Sequence, residues 1–341
     1  MCLAAEPTSR GLGFVKRPPP ITGGHHGKDN PLLDQGQTAL AALLSDLRAR
    51  SYRFVSPTPA THARVIARPD KQGARTLRDV FGWSLPFEPD LLPREMLASL
   101  EQADAVEEHG NMLKSRVRVS SMDGHLFLHS AYPTVDDQSV FLGPDSYRFV
   151  AFVQAELASN GVRRLVDVGA GAGVGGLMAA PLVPQARITL LDANPAALRL
   201  AAVNAHDAGV SAELVEGCGI EDVPEGPDVV LANPPYMIDS EGRTYRDGGD
   251  MHGARVSLDW TLNGARRLAP GGRVLLYTGV AMVEGRDELR EALERELPAL
   301  GCTLRYRELD PDVFGEELEK PAYAGVERIA AIGAVVEKSA E

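Results

Sequence analysis

The feature that most constrains this chain is a short apolar strand that breaks into glycines and is followed by a second strand ending in an aspartate. Val166–Val168 leads directly into Gly169–Gly173, in which glycine and alanine alternate. The next apolar run ends at Asp192, 19 residues beyond Gly173. Glycine permits a tight turn and a close approach of the backbone to a ligand. Strand, glycine turn, helix and second strand are typical of an open α/β sheet that binds an adenosine-containing cofactor, with Asp192 accepting the ribose hydroxyls.

Alternating strand and helix patterns extend this unit into a parallel α/β sheet. The helix after the second predicted strand has Asn194 as its cap, Pro195 in its first turn and Gly209 at its end. Two later apolar runs are expected to form a closing antiparallel pair. The predicted parallel strands are Arg164–Val168, Arg187–Leu191, Ala212–Val215, Asp228–Ala232 and Arg273–Tyr277, and the closing pair is Thr303–Glu308 and Ile329–Val336.

A different organisation is expected before residue 143. Residues 1–33 are rich in proline, glycine and polar residues and are expected to be flexible, and residues 34–110 carry short amphipathic helical patterns. Residues 111–142 are expected to form a hairpin and linker, because Asp123-Gly124 separates two β-rich runs. Residues 143–341 then form the main α/β domain.

Composition excludes several classes of protein. Hydrophobic residues make up 44% of the chain, which is enough for a sizeable core. Neither a long apolar span nor a signal peptide is recognisable, so a cytoplasmic protein is expected. The three cysteines form no CxxC pair and have no histidine spacing of a zinc site, so no metal is expected.

Charge is unevenly distributed along the chain. The net charge is −12, but the first 80 residues carry 12 basic and 6 acidic side chains, a balance of +6. Such a segment suits an anionic partner or forms an ordinary solvated surface.

The second chemical motif is Asn233-Pro234-Pro235-Tyr236, directly after the fourth predicted strand. Ligands bind at the carboxyl edge of such sheets, so this motif and the glycine turn are expected on the same edge. The two prolines fix the backbone and keep the Pro234 carbonyl free, while Asn233 supplies an amide oxygen. Two rigid acceptors beside an aromatic ring suit a planar NH₂ group whose nitrogen becomes positive as it gains a methyl group.

The glycines alone leave a dinucleotide enzyme open. Gly171, Gly173 and Gly176 satisfy the GxGxxG pattern of NAD-dependent oxidoreductases. A binding module that keeps the fold without catalysis is a further alternative.

The combination of DVGAGAG, Asp192 and NPPY resembles the class I S-adenosylmethionine-dependent methyltransferases, specifically the NPPY-bearing nitrogen methylases of the "small" methyltransferase superfamily. The resemblance covers about residues 140–341 and implies a Rossmann-like fold with S-adenosyl-L-methionine as cofactor. It places the catalytic acceptor site at Asn233, Pro234, Pro235 and Tyr236. It places the cofactor contacts at Asp167, Gly169, Ala170, Gly171, Gly173, Asp192, Ala193 and Asn233, and the adenine contacts at Cys218, Gly219 and Ile220. The acidic residue often found at the Cys218 position of the family is missing here.

The sequence therefore predicts an enzyme that methylates a nitrogen. The superfamily includes release-factor glutamine methyltransferases and ribosomal RNA guanine methylases, so a protein glutamine is the preferred acceptor, a nucleobase the alternative, and a small molecule remains open. Phe141, Tyr147 and Arg246 are the candidate substrate contacts, although Tyr147 also suits core packing. Neither the acceptor nor the oligomeric state follows from the sequence.

Overall fold

The computed structural model describes residues 33–134, 136–157, 161–223, 226–239 and 246–340. The segment that the sequence predicts to be flexible, 1–33, lies outside these ranges apart from Leu33.

Four helices precede the first strands. In α1 the Asp34 carboxylate caps the helix by accepting from the Gln37 amide, and Leu40, Leu43 and Leu47 bury one face. In α3, Gly82 follows the last residue, as its position after an apolar stripe predicts. The bounds are α1 Gln35–Ala49, α2 Pro59–Ile66, α3 Leu77–Phe81 and α4 Arg94–Gln102.

Two antiparallel hairpins follow. The first consists of β1 Val106–His109 and β2 Met112–Ser115, and the second of β3 Val117–Met122 and β4 His125–Ser130. Asp123 and Gly124 both have positive φ, +46° and +86°, the conformation that a two-residue hairpin turn requires. The predicted hairpin around Asp123-Gly124 is therefore confirmed.

The rest of the chain forms one large sheet flanked by helices. Its strands are β5 Arg164–Val168, β6 Arg187–Asp192, β7 Ala212–Glu216, β8 Val229–Ala232, β9 Arg273–Val283, β10 Arg286–Asp287, β11 Cys302–Asp310 and β12 Val326–Lys338. Its helices are α5 Pro144–Glu156, α6 Val174–Ala179, α7 Pro195–Ala208, α8 Arg255–Arg267 and α9 Glu288–Glu296.

The order of strands in this sheet is β7-β6-β5-β8-β9-β12-β11, with β10 paired to β9. Strands β5 to β9 pair in parallel, and β12 is antiparallel to both of its neighbours. The predicted Rossmann-like α/β fold with a closing antiparallel pair, preceded by short helices and a hairpin, is confirmed.

The sheet is buried on both faces because helices cover each side. Helices α5, α6 and α7 pack on one face, and α8 and α9 pack on the other. None of the helices in the described ranges is long and apolar enough to cross a membrane.

Candidate active site

The carboxyl ends of three parallel strands bring the two sequence motifs together. Val168, the last residue of β5, pairs with Ala232, the last residue of β8. It also pairs with Leu191, the penultimate residue of β6. The glycine turn, Asp192 and Asn233 therefore leave the sheet at one edge, which is where open α/β sheets bind ligands.

The glycine turn combines required packing with an open face. Gly169, Gly171 and Gly173 have φ of +67°, +55° and +79°, a region that other residues rarely adopt. A Cβ at Gly169 would lie 2.4 Å from the ring of Trp260, so packing also demands glycine there. At Gly171 the nearest heavy atom is Val140 Cγ1 at 4.0 Å, so this side of the backbone faces open space.

Asp192, the last residue of β6, is hydrogen-bonded to the glycine turn. Its Oδ2 accepts from the Gly171 amide at 2.7 Å, and its Oδ1 accepts from the Asn194 amide at 2.8 Å. The Ala170 amide donates to the Leu191 carbonyl of β6 at 3.0 Å, and Ala193, next to Asp192, is exposed. Burial raises the pKa of Asp192, and the amide bonds oppose that shift. Each carboxylate oxygen has a second lone pair, so Asp192 can accept two further hydrogen bonds.

Asp167 lies beneath the turn in β5, almost fully buried. Its Oδ2 accepts from the Gly176 amide at 2.7 Å, which ties β5 to the first turns of α6. Burial raises the pKa of this carboxyl to about 7, and the negative charge of Asp192 adds to the increase.

A buried asparagine connects the turn to the second hairpin. Asn204 of α7 accepts from the Leu128 amide at 2.8 Å and donates to the Leu128 carbonyl at 3.0 Å. The same side-chain nitrogen donates to the Ala172 carbonyl at 2.9 Å. The hairpin is thereby held against the glycine turn.

The turn after β7 contains the residues that the family resemblance assigns to adenine. The Cys218 amide donates to Asp222 Oδ2 at 2.8 Å, which places a carboxylate next to this turn. Gly219 is buried, and Ile220 packs among core residues. Their contact with adenine stays a prediction.

The Asn233-Pro234-Pro235 segment directly follows β8. Pro234 is buried, whereas Asn233 and Pro235 are half-buried. Within the described ranges, the side-chain amide of Asn233 makes no hydrogen bond. A partly accessible amide without an internal partner is available to bind a ligand.

Tyr236 is fixed by contacts from several elements. Its hydroxyl donates to Asp145 Oδ2 at 2.6 Å, and Tyr277 donates to Asp145 Oδ1, also at 2.6 Å. The ring lies against Gly279, where a Cβ would be 2.4 Å from Cε2. Phe314, with φ of +55°, packs edge-on against it with ring centroids 6.2 Å apart.

Two of the predicted substrate contacts lie at the start of α5. Phe141 is half-buried and packs against Gly143, where a Cβ would be 2.5 Å from Cζ. The hydroxyl of Tyr147 accepts from the Ser56 amide at 3.2 Å, so this side chain reaches the segment between α1 and α2. Their role in binding a substrate stays a prediction.

Arg246, the third predicted contact, already has an acidic partner. Its Nη2 donates to Glu317 Oε1 at 2.5 Å, and its carbonyl accepts from the Met237 amide at 3.0 Å. The residue lies next to Asn233–Tyr236 in space, but its charge is paired with a buried carboxylate. A contact with substrate stays a prediction here too.

Sequence reasoning missed Asp145, Tyr277, Gly279 and Phe314. Asp145 follows a proline at a helix start, where an acidic residue is common. Tyr277 and Gly279 lie in a long apolar strand that signals only burial. Phe314 lies in an irregular segment without a pattern. None of these signals indicates that the residues meet Tyr236.

Comparisons with known proteins identify methyltransferases as similar to this chain. Residues 150–251, which include the glycine turn, Asp192 and Asn233–Tyr236, match the family model "Methyltransferase small domain". The chain is 26% identical to a release factor glutamine methyltransferase of Deinococcus radiodurans, over 82% of this chain and 96% of that protein. It is 33% identical to the ribosomal RNA small subunit methyltransferase C of Hahella chejuensis, over 33% of this chain and only 30% of that protein.

Solved structures give only distant matches. The 16S ribosomal RNA N2 G1207 methyltransferase of Thermus thermophilus, solved in complex with AdoMet and guanosine, is 18% identical. The match has a TM-score of 0.41 and covers 74% of this chain and 64% of that one.

Proposed function

We propose that this chain, an S-adenosylmethionine-dependent methyltransferase that contains a methyltransferase small domain, methylates a planar amide or amine nitrogen. The favoured acceptor is the side-chain amide of a protein glutamine. One observation carries the proposal: the Asn233 amide, which lacks a partner within the described ranges, leaves the sheet at the same edge as the glycine turn and Asp192.

The residues of the glycine turn fit S-adenosylmethionine. Asp192 keeps two lone pairs for the ribose hydroxyls, and the open side of Gly171 lets the backbone approach the methionine part. Asp167 supports the turn from beneath through Gly176. When bound, the cofactor supplies an electrophilic methyl group on a sulfonium centre.

Asn233 and Pro234 hold the acceptor nitrogen. The Asn233 side-chain oxygen and the Pro234 carbonyl accept its two N–H groups, which leaves the nitrogen lone pair free to react. These oxygen dipoles also stabilise the positive charge that develops on the nitrogen, because they are already oriented before reaction. Orientation and electrostatics then account for catalysis without a dedicated strong base, and the lost proton passes to solvent.

The glutamine acceptor is supported by the extent of one similarity. The Deinococcus protein, named for glutamine methylation of a release factor, aligns over 96% of its length. The similarity to the ribosomal RNA methyltransferase covers 30% of that protein. A nucleobase acceptor is the second candidate, favoured by the +6 balance of the first 80 residues, and a small-molecule acceptor is a third.

We also assign acceptor recognition to the part of the chain before residue 143 and catalysis to residues 143–341. Helix α1 is attached to α7 by the pairs Arg48–Asp207 and Arg199–Asp34. Asn204 attaches the second hairpin to the glycine turn. These contacts, which join the N-terminal elements to α7 and the glycine turn, support the proposal that these elements border the acceptor.

The test is to incubate the purified protein with methyl-labelled S-adenosylmethionine and a bacterial lysate, and to separate protein from RNA. We expect label in protein, specifically on glutamine of a release factor. A purified release factor and its Gln→Glu variant at the labelled position form the matched pair for the second step.

Label in RNA instead would replace glutamine by the nucleobase acceptor. Transfer to RNA should then weaken steeply with added salt, because phosphate contacts release counterions. Labelling of neither fraction, when cofactor binds, would reject both macromolecular acceptors.

A further inference from the structure

One buried carboxylate outside the predicted site contacts the aromatic residue of the NPPY segment. Asp145 is 5% exposed and lies in the first turn of α5. It accepts the hydroxyls of Tyr236 and Tyr277 on separate oxygens, both at 2.6 Å. Arg148 Nη1 lies 3.4 Å from Asp145 Oδ1, and its Nη2 donates to Asp310 at 2.9 Å.

The backbone of Tyr236 is fixed independently of its side chain. Gly248 and Gly253 pack closely against it. A Cβ at Gly248 would lie 2.7 Å from Tyr236 Cα, and a Cβ at Gly253 would lie 2.3 Å from the Tyr236 carbonyl oxygen. The Met237 amide is hydrogen-bonded to the Arg246 carbonyl on the same loop. Backbone contacts therefore position Tyr236 and Met237 independently of the Tyr236 ring.

The ring of Tyr236 needs a further constraint because it is only half-buried. Gly279 limits its position along one edge, and Phe314 touches it edge-on. Neither contact is directional. The charge-assisted hydrogen bond to Asp145 is directional, and bonds of this kind are about twice as strong as neutral ones.

We infer that Asp145 is a positioning residue that fixes the plane of Tyr236 against the methyl acceptor. This inference rests on the proposed function, in which the acceptor lies beside Asn233–Tyr236. Asp145 acts through Tyr236, so its removal affects the use of acceptor and not the binding of cofactor.

The test uses five variants, each measured for kcat and KM with the acceptor that the wild type labels. Asp145→Ala and Tyr236→Phe should each lower kcat/KM by about tenfold or more, as expected for loss of a hydrogen bond to a charged group. The double variant should lose no more than the larger single loss, because both changes remove one interaction. Asp145→Asn, which keeps one side-chain oxygen, should restore part of the activity.

Tyr277→Phe is the matched control, since it removes a bond of equal length to the same carboxylate and leaves the Tyr236 bond in place. It should lower the melting temperature about as much as Tyr236→Phe does, yet keep kcat/KM within about threefold, since hydrogen-bond losses of similar kind have similar cost. Equal losses of activity in the two phenylalanine variants, or losses that multiply in the double variant, would overturn the inference. Affinity for S-adenosylhomocysteine should stay unchanged in every variant that folds.

A second readout needs no acceptor and so separates this inference from the proposed function. In proton NMR the Tyr236 hydroxyl, assigned by its loss in Tyr236→Phe, should exchange slowly with water in the wild type and in Tyr277→Phe. It should exchange rapidly in Asp145→Ala. A Tyr236 hydroxyl that remains protected in Asp145→Ala would show that this carboxylate does not hold the ring, whatever the acceptor is.

Discussion

Replacing Asn204 by alanine should destabilise the protein more than any ordinary surface change. Asn204 is fully buried, and its amide pairs with both the amide and the carbonyl of Leu128, as a neighbouring strand would. It also donates to the Ala172 carbonyl. The alanine variant leaves these three backbone groups without that partner.

The size of the effect follows from those groups. A buried polar group without a partner costs about 1–3 kcal/mol. The three backbone groups together should cost about 3–5 kcal/mol, because water that enters the space left by the side chain can satisfy part of them. The entropy of unfolding is about 2.1 cal/mol/K per residue, or about 0.7 kcal/mol/K for a chain of this length. We therefore expect the melting temperature to fall by about 4–7 °C.

Scanning calorimetry measures this shift, and amide hydrogen exchange at Leu128 locates it. Asn263→Ala is the matched control, because Asn263 accepts one hydrogen bond, from Arg266 on the same exposed helix surface. The control should change the stability by less than about 0.5 kcal/mol. The reasoning would be refuted if both variants had the same melting temperature and the Leu128 amide remained protected from exchange in Asn204→Ala. Asn204 would then not hold the hairpin to the glycine turn.

Two further predictions concern the carboxylates beneath and beside the glycine turn. Asp192→Ala should weaken the binding of S-adenosylhomocysteine by about tenfold or more in calorimetry, since bonds from two ribose hydroxyls to a charged group are lost, whereas Asp259→Ala on the surface should leave binding unchanged. An affinity equal to that of the wild type would remove the ribose assignment. Asp167, whose pKa burial raises to about 7, binds a proton in the folded protein that it releases in the unfolded chain above about pH 4. Its contribution to stability should therefore be present at low pH and be lost as the pH rises from about 4 to about 7. Melting temperatures of the wild type and Asp167→Asn, measured across this pH range, should show the variant becoming more stable relative to the wild type as the pH rises. A difference in melting temperature that does not change with pH would contradict the buried, protonated carboxyl.

Much of the fold could be predicted because local signals agreed with the tertiary structure. Helix α7 has Asn194 as its cap, Pro195 as its first residue and Gly209 in the left-handed conformation after its end. Strand β5 has the predicted bounds. Each of these elements combines an apolar pattern with residues whose chemistry marks its ends.

Other elements carried weaker signals. Helix α2 was not predicted, although Thr58 caps it and Pro59 opens it, because only His62 is buried along its length. Helix α8 follows a polar loop and begins without a side-chain cap. Strand β1 is largely exposed and polar, so it lacks the alternation that identifies a strand.

The site was predictable where its residues lie in one motif. The glycines and Asn233–Tyr236 directly follow strands, and Asp192 ends one. The rule that parallel strands share a carboxyl edge brings them together. Asp145 and Tyr277 could not be assigned in this way. They lie 132 residues apart and meet only through the packing of α5 on the sheet.

The most direct test of the account is single-turnover methyl transfer by Asn233→Ala with a purified release factor and methyl-labelled S-adenosylmethionine, beside calorimetry of cofactor binding. The account predicts that the rate falls by about 10²-fold or more, in line with the loss of one preorganised dipole, while affinity for S-adenosylhomocysteine remains that of the wild type. Asn263→Ala should retain the wild-type rate. Transfer by Asn233→Ala at the wild-type rate would contradict the central claim that this amide holds the acceptor nitrogen.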